Sequence, residues 1–213
     1  AVFHDGTPVT AKDVKWSLDR AVTVGGFPTF QMGAGSLSTP EQFVVVDDST
    51  IRVDFLRKDR LTIPDLAVIV PAVYHSELVK KHATEKDPWG LDYTKQNTAG
   101  SGAYRVVSWN AGTEVILERN DKWTGGPLPK VRRIVWRMVP SAGNRRALLE
   151  RGDADVSYDL PNKDFVELKA AGKLNIVPTP CSNGIQYIGM NVTKPPFDNL
   201  KVRQAVAYAI PYQ

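Results

Sequence analysis

The sequence is poor in the residues that do redox and metal chemistry: it has one cysteine and three histidines in 213 residues. Cys181, being alone, forbids an internal disulfide and a cysteine-rich zinc site. A single thiol suits the cytosol, and it equally suits a periplasmic protein large enough to fold without staples, so it does not fix the compartment. His75 and His82 in "HSELVKKH" are seven residues apart, not at the spacing of H-E-x-x-H, and His4 is distant in sequence. These histidines therefore do not announce a metal site. Long apolar runs are absent too. The longest, such as "LAVIVPAV" at 66–73, are too short to cross a bilayer. No basic segment followed by an apolar core opens the chain, so a signal peptide, where there is one, lies outside this sequence.

The signatures of common enzymes are missing as well. "AGSGAY" has a serine between glycines, but G-x-S-x-G is absent and the pattern after it reads as a strand. The same stretch lacks the third glycine and the helix of a dinucleotide loop. Asp153 and Asp155 are spaced for acid–base work, but they read more simply as turn and strand-start residues.

What is present describes a globular chain, 42% hydrophobic and 23% charged, long enough to bury a core. The formal charge is +4, and basic residues gather at Lys130, Arg132, Arg133, Arg137, Arg145, Arg146 and Arg151. Such a cluster is one route to polyanion binding. Here it alternates with Val131, Ile134, Trp136 and Met138, as along a solvated strand edge.

Thr10 is a good N-cap, with Asp13 three residues on, and Val14, Ser17, Leu18, Ala21 and Val22 form one helical stripe. Lys15 and Asp19 pair four apart. Residues 23–40, rich in Gly, Ser, Thr and Pro, read as a loop. "EQFVVVDDSTIRVDF" reads as a hairpin turning at Asp47 to Ser49, "HSELVKKH" as a short helix, and 88–102 as a long irregular segment. "AYRVVSW" and "TEVILER" flank the turn "NAG", and "VRRIVWRMV" is a further strand. Helices are expected over "SAGNRRALLERG", "NKDFVELKAAG" and "NLKVRQAVAYAI", with Gly152 and Gly172 closing the first two. Strands are expected at "DADVSYD", "KLNIVP" and "GIQYIGMN", which makes the latter part an α/β layer.

"FHDGTPVTAKDVKWSLDRA", "AGSGAYRVVSW", "VILERNDKW", "ALLERGDAD" and "GMNVTKPPFDNLKVRQAVAYAI" occur in that order. Together they resemble the extracellular solute-binding proteins of family 5, the dipeptide, oligopeptide and nickel receptors of ABC importers. The resemblance covers nearly the whole chain; Ser101 and Ala103 stand where the family has threonine and proline. It implies a mixed α+β fold of the periplasmic binding protein-like II kind, present in part. Residues 1–99 would be a small accessory α/β subdomain and 100–213 the core of a mixed-sheet lobe. On this resemblance the chain is expected to be an internal piece of a larger extracytoplasmic protein, with the opposing lobe after residue 213.

The resemblance also implies a function. The intact protein would capture a small solute between two lobes and deliver it to the permease subunits in the membrane. That solute would be a peptide, nickel complex, opine, sugar or glutathione; no bond would be broken and no cofactor or nucleic acid used. The protein would be periplasmic or extracellular, held at the membrane through its transporter. Candidate cleft residues are Gly184, Ile185, Gln186 and Tyr187, with Phe27 and Phe30 from the loop at 25–35. Tyr187 reads equally well as core. Gly100, Ser101 and Gly102 are expected to form a hinge or tight turn, with positive φ at Gly102. The competing classes are a soluble enzyme of unrecognised site and a polyanion binder using Arg132, Arg133, Arg145 and Arg146, whose binding would fall steeply with salt.

Overall fold

The computed structural model describes residues 1–178 and 187–211 and is a mixed α+β protein. It divides into two compact units, Ala1–Ser141 and Ala142–Gln213.

The first unit is organised by α1 (Ala11–Thr23). The Thr10 backbone N–H and hydroxyl both donate to Asp13 Oδ2, at 3.0 and 2.8 Å. The expected stripe is the buried face: Leu18, Ala21 and Val22 form a core cluster with Met32, Leu37 and Phe43, and Val14, Ile51, Val53, Leu66 and Val70 pack against it. Ser17 also lies on this face and is satisfied there, donating to Asp13 O at 2.7 Å and accepting from Tyr74 N at 2.9 Å.

The segment expected as a loop holds a helix, α2 (Gly26–Ala34). Its glycines are punctuation at the ends. Gly25 and Gly26 have φ of 84° and 63° and turn the chain out of α1. Pro28 falls in the first turn, where its missing N–H costs nothing. Met32 and Leu37 then have no exposed surface, and this burial favours a helix where the composition suggested a coil.

The hairpin of β1 (Phe43–Val45) and β2 (Ile51–Val53) pairs Phe43 with Val53 and Val45 with Ile51. Asp47 Oδ1 holds its turn by accepting from Ser49 N at 2.8 Å. Three short helices follow: α3 (Thr62–Leu66), α4 (Ser76–Lys80) and α5 (Leu91–Thr94). The last lies inside the stretch expected to be irregular. Buried Arg20 fastens this region to α1 by donating to Trp89 O and Thr94 Oγ1 and stacking over Tyr74. An antiparallel sheet of β3 (Tyr104–Asn110), β4 (Glu114–Arg119) and β5 (Arg133–Arg137) completes the unit in the order β3-β4-β5. The β3–β4 register shifts between Val106 and Ser108, leaving Val107 as a bulge. The boundary read between residues 99 and 100 falls inside this unit. A backbone hydrogen bond crosses it, from His4 N to Gly100 O at 3.1 Å.

The second unit contains α6 (Ala142–Arg151), α7 (Asn162–Ala171) and α8 (Leu200–Ala209). Gly152 and Gly172 follow the first two helices with φ of 78° and 66°, as their C-terminal stops require. The strands expected at 153–159 and 173–178 do not form, and residues 187–190 are not strand either. Alternating residues specify a strand only where a ladder partner satisfies the backbone. No ladder includes these segments among the described residues. Residues 184–186 of the third expected strand lie outside the described residues.

Candidate functional site

Phe27 and Phe30 lie on α2, and their side chains are turned out of the core, 63% and 73% exposed. Tyr187, in the second unit, is 84% exposed. Gly184, Ile185 and Gln186 lie outside the described residues, as does Cys181. The candidates thus belong to two separate units: the phenylalanines share one helix, and the tyrosine belongs to the other unit.

The glycine segment differs from expectation. Gly102 does not adopt positive φ, nor does Gly100. A Cβ at Gly102 would meet Tyr104 O at an ordinary 3.6 Å, and one at Gly100 would enter open space. Hydrogen bonds shape this turn instead. Gly102 O accepts from Asn120 Nδ2 at 3.2 Å and lies 3.1 Å from His4 Nε2, while Asn120 N donates to Ala103 O at 2.8 Å. Ser101 lies between two carbonyls that are both engaged, since Gly100 O accepts from His4 N. The segment is a strap holding the first strand of the sheet to the N-terminal turn.

The structure also assembles a cluster that sequence reasoning missed. His75 caps α4, and its Nδ1 accepts from Leu78 N at 3.4 Å. Its other nitrogen, Nε2, therefore carries the proton, and it lies 3.2 Å from both Asp5 Oδ2 and Thr7 Oγ1. Asp5 Oδ1 accepts from Thr7 N and Oγ1 at 2.9 and 2.7 Å. The Thr7 backbone N–H, then the Thr7 hydroxyl, hold the Asp5 carboxyl below its ordinary range, and His75 adds to this. Phe3 stacks on the imidazole with ring centroids 4.7 Å apart. Asp5 and His75 are too far apart in sequence for any periodicity to reveal the pair.

Asp13 is the electrostatic anchor of α1. Its Oδ1 accepts from Ser76 N and Oγ at 3.1 and 2.7 Å. Burial pushes this carboxyl up, but the hydrogen bonds from Ser76 and Thr10 outweigh burial and hold it below the ordinary value.

The basic cluster is partly consumed by ion pairs. Arg146 reaches Asp164, Glu167 and Glu150 at 2.7, 2.6 and 3.0 Å, an arrangement that ties α6 to α7 and leaves that guanidinium little to offer a polyanion. Its pKa is raised further by hydrogen bonds to Glu167, Asp164 and Glu150. Among the described residues no group of His, Cys, Asp and Glu is placed to hold a metal ion. None of the described helices is long and apolar enough to cross a membrane.

The whole chain, residues 1–213, matches the bacterial extracellular solute-binding proteins, family 5 Middle, and it belongs to that family. It is 30% identical over 213 residues to the probable D,D-dipeptide-binding periplasmic protein DdpA of Escherichia coli (strain K12), covering 39% of that protein. It is 35% identical over 212 residues to the glutathione-binding protein GsiB of Pectobacterium atrosepticum, covering 98% of this chain and 38% of that one. The chain therefore spans about two fifths of the length of these relatives. In fold it is similar to Haemophilus influenzae OppA in complex with RPPGFSPFR, with TM-score 0.74 and 19% identity over 99% of this chain and 43% of that one. It is also similar to Brucella suis NikA in complex with Fe(III)-EDTA, with TM-score 0.64 and 18% identity over 82% of this chain and 34% of that one.

Proposed function

We propose that this chain is part of an extracytoplasmic receptor of an ABC importer, which captures a peptide or similar small solute and hands it to a membrane permease. The observation that carries this reading is the family match along the entire chain. Relatives bearing the names D,D-dipeptide-binding and glutathione-binding point to short peptides and peptide-like solutes. Binding without bond breaking agrees with the sequence, which carries no recognised nucleophile–base pair or metal motif. The proposed contact residues are Gly184, Ile185, Gln186 and Tyr187, with Phe27 and Phe30. Exposed aromatic side chains offer apolar area with little rotamer freedom to lose, which suits a ligand that must be gripped and released. Residues 1–99 would serve as the accessory part and 100–213 as the lobe core, with Gly100–Gly102 as the strap between them.

Native mass spectrometry of the protein purified from its own host tests the reading. A bound peptide or peptide-like solute, released on denaturation and rebound in calorimetric titration, is the expected result. A protein that copurifies with nothing and binds neither D,D-dipeptides nor glutathione nor a peptide library would overturn it.

A further inference from the structure

His75 joins α4, the N-terminal turn and the segment that ends at Ala99. Its backbone N–H donates to Ala99 O at 2.7 Å. One ring nitrogen serves α4, where Nδ1 accepts from Leu78 N at 3.4 Å. The other serves the N-terminal turn, where Nε2 lies 3.2 Å from Asp5 Oδ2 and from Thr7 Oγ1. Phe3 stacks on the ring, and the His75 side chain is only 15% exposed. A neutral imidazole does both jobs, because it offers one acceptor and one donor. A protonated ring has two donors. It cannot accept from Leu78 N in any orientation, while its bond to the Asp5 carboxylate becomes a charge-assisted one.

The charged groups around the ring are placed for that exchange of partners. Asp5 is the anion at Nε2, and the Thr7 backbone N–H and hydroxyl hold its carboxyl below the ordinary range, so it stays ionised where imidazoles titrate. On α4, Glu77 is already paired with Lys80 at 2.8 Å. On α1, Asp13 Oδ1 is taken up by Ser76 N and Oγ, which keeps the start of α4 fastened when Leu78 is released. On β3, Arg105 has its guanidinium 3.6 Å from Glu118. Lys122, between β4 and β5, stands beside Gly6. His4 has its Nε2 3.1 Å from Gly102 O.

We propose that His75 is a pH-sensitive coupling between α4 and the N-terminal turn. With a neutral ring it caps α4; with a protonated ring it releases Leu78 N and grips Asp5 as an ion pair. Phe3, Asp5, His75, Leu78 and Arg105 all line an open cavity of about 300 Å³, so the exchange of partners alters the wall of that cavity. The device does not rest on the proposed solute contacts, since Phe27, Phe30 and Tyr187 take no part in it.

NMR of the full protein carrying isotope-labelled leucine and histidine, titrated over the pH range in which it stays folded, tests the proposal. The Leu78 amide is expected to shift in one transition with the same midpoint as the His75 ring. Its protection from exchange, corrected for the pH dependence of the intrinsic rate, falls by about tenfold, the loss of one hydrogen bond. In His75→Asn the Leu78 amide stops responding to pH, because asparagine caps a helix without titrating. Asp5→Asn moves the transition to lower pH, because the protonated ring has lost its anion. His4→Gln, which keeps a donor for Gly102 O, leaves the transition in place. A Leu78 amide that stays constant while the His75 ring titrates, or a ring that does not titrate before the protein unfolds, overturns the proposal. So does a response that survives in His75→Asn. Should that variant fail to fold, Asp5→Asn decides, and an unshifted transition there overturns the proposal as well.

Discussion

The two units of this chain stand at opposite ends of a scale of self-sufficiency. In the first, α1, α2 and the β1–β2 hairpin close over a shared cluster in which Met32, Leu37 and Phe43 are essentially without exposed surface. In the second, Leu160 and Leu168 are the only buried apolar side chains among the described residues, while Val156, Val177, Tyr187 and Tyr208 stand exposed. Arg146 on α6 ties it to α7 through Asp164 and Glu167. Burial is non-directional and scales with area, whereas exposed ion pairs contribute little each. The first unit is therefore expected to carry its own stability. The exposed aromatic residues of the second are available for contact rather than for packing.

The largest expected effect breaks the first unit directly. Phe43→Ala empties a position 1% exposed in the core and should cost about 3–5 kcal/mol in chemical denaturation. The matching truncation in the second unit, Val166→Ala at a 68% exposed site, should stay within about 0.5 kcal/mol. Comparable losses in the two would dissolve the contrast.

Asp13→Ala comes next. It leaves Thr10 and Ser76 without the acceptor of four hydrogen bonds and should cost about 2–3 kcal/mol. This residue also sets a pH dependence. Its folded pKa lies below the ordinary 3.8, so the unfolded chain binds the proton more tightly. The stability it contributes is present above that ordinary value and is lost as pH falls through the lower folded value. Asp5 acts with the same sign. In acid titration the Asp13→Asn protein should lose stability less steeply below pH 3.8 than the native protein does, and parallel curves would show that the carboxylate contributes nothing there.

Smaller effects separate two glycines. Gly90 has φ of +59°, and a Cβ there would sit 2.6 Å from Val79 Cγ1 in the core, so Gly90→Ala should cost about 1–3 kcal/mol. Gly102 meets neither condition, and Gly102→Ala should change the stability in chemical denaturation by no more than about 0.5 kcal/mol. A reversed order would mean that the strap at 100–102 depends on glycine after all.

These contrasts also explain what was legible in the sequence. The start and buried face of α1 were readable because Thr10, Asp13 and the stripe are local signals. The hairpins were readable for the same reason. α2 was not, because composition alone does not show that Gly25, Gly26 and Gly35 sit at the helix ends rather than within it. The strands expected at 153–159 and 173–178 failed because alternation names a face and not a partner. At the candidate site Phe27 and Phe30 lie exposed on α2, a helix where the sequence reading had a loop, and positive φ at Gly102 did not appear, since the turn is set by His4 and Asn120 from distant positions. The Asp5–Thr7–His75 cluster was invisible because it exists only after folding.

The most direct test of the account compares Tyr187 with Phe43 in the full protein, with affinity for its copurified solute and melting temperature measured side by side. Tyr187→Ala should weaken solute binding and leave the melting temperature nearly unchanged, while Phe43→Ala lowers the melting temperature. A Tyr187→Ala protein that binds its solute as tightly as the native one but melts markedly earlier would contradict the assignment of this exposed tyrosine to solute capture.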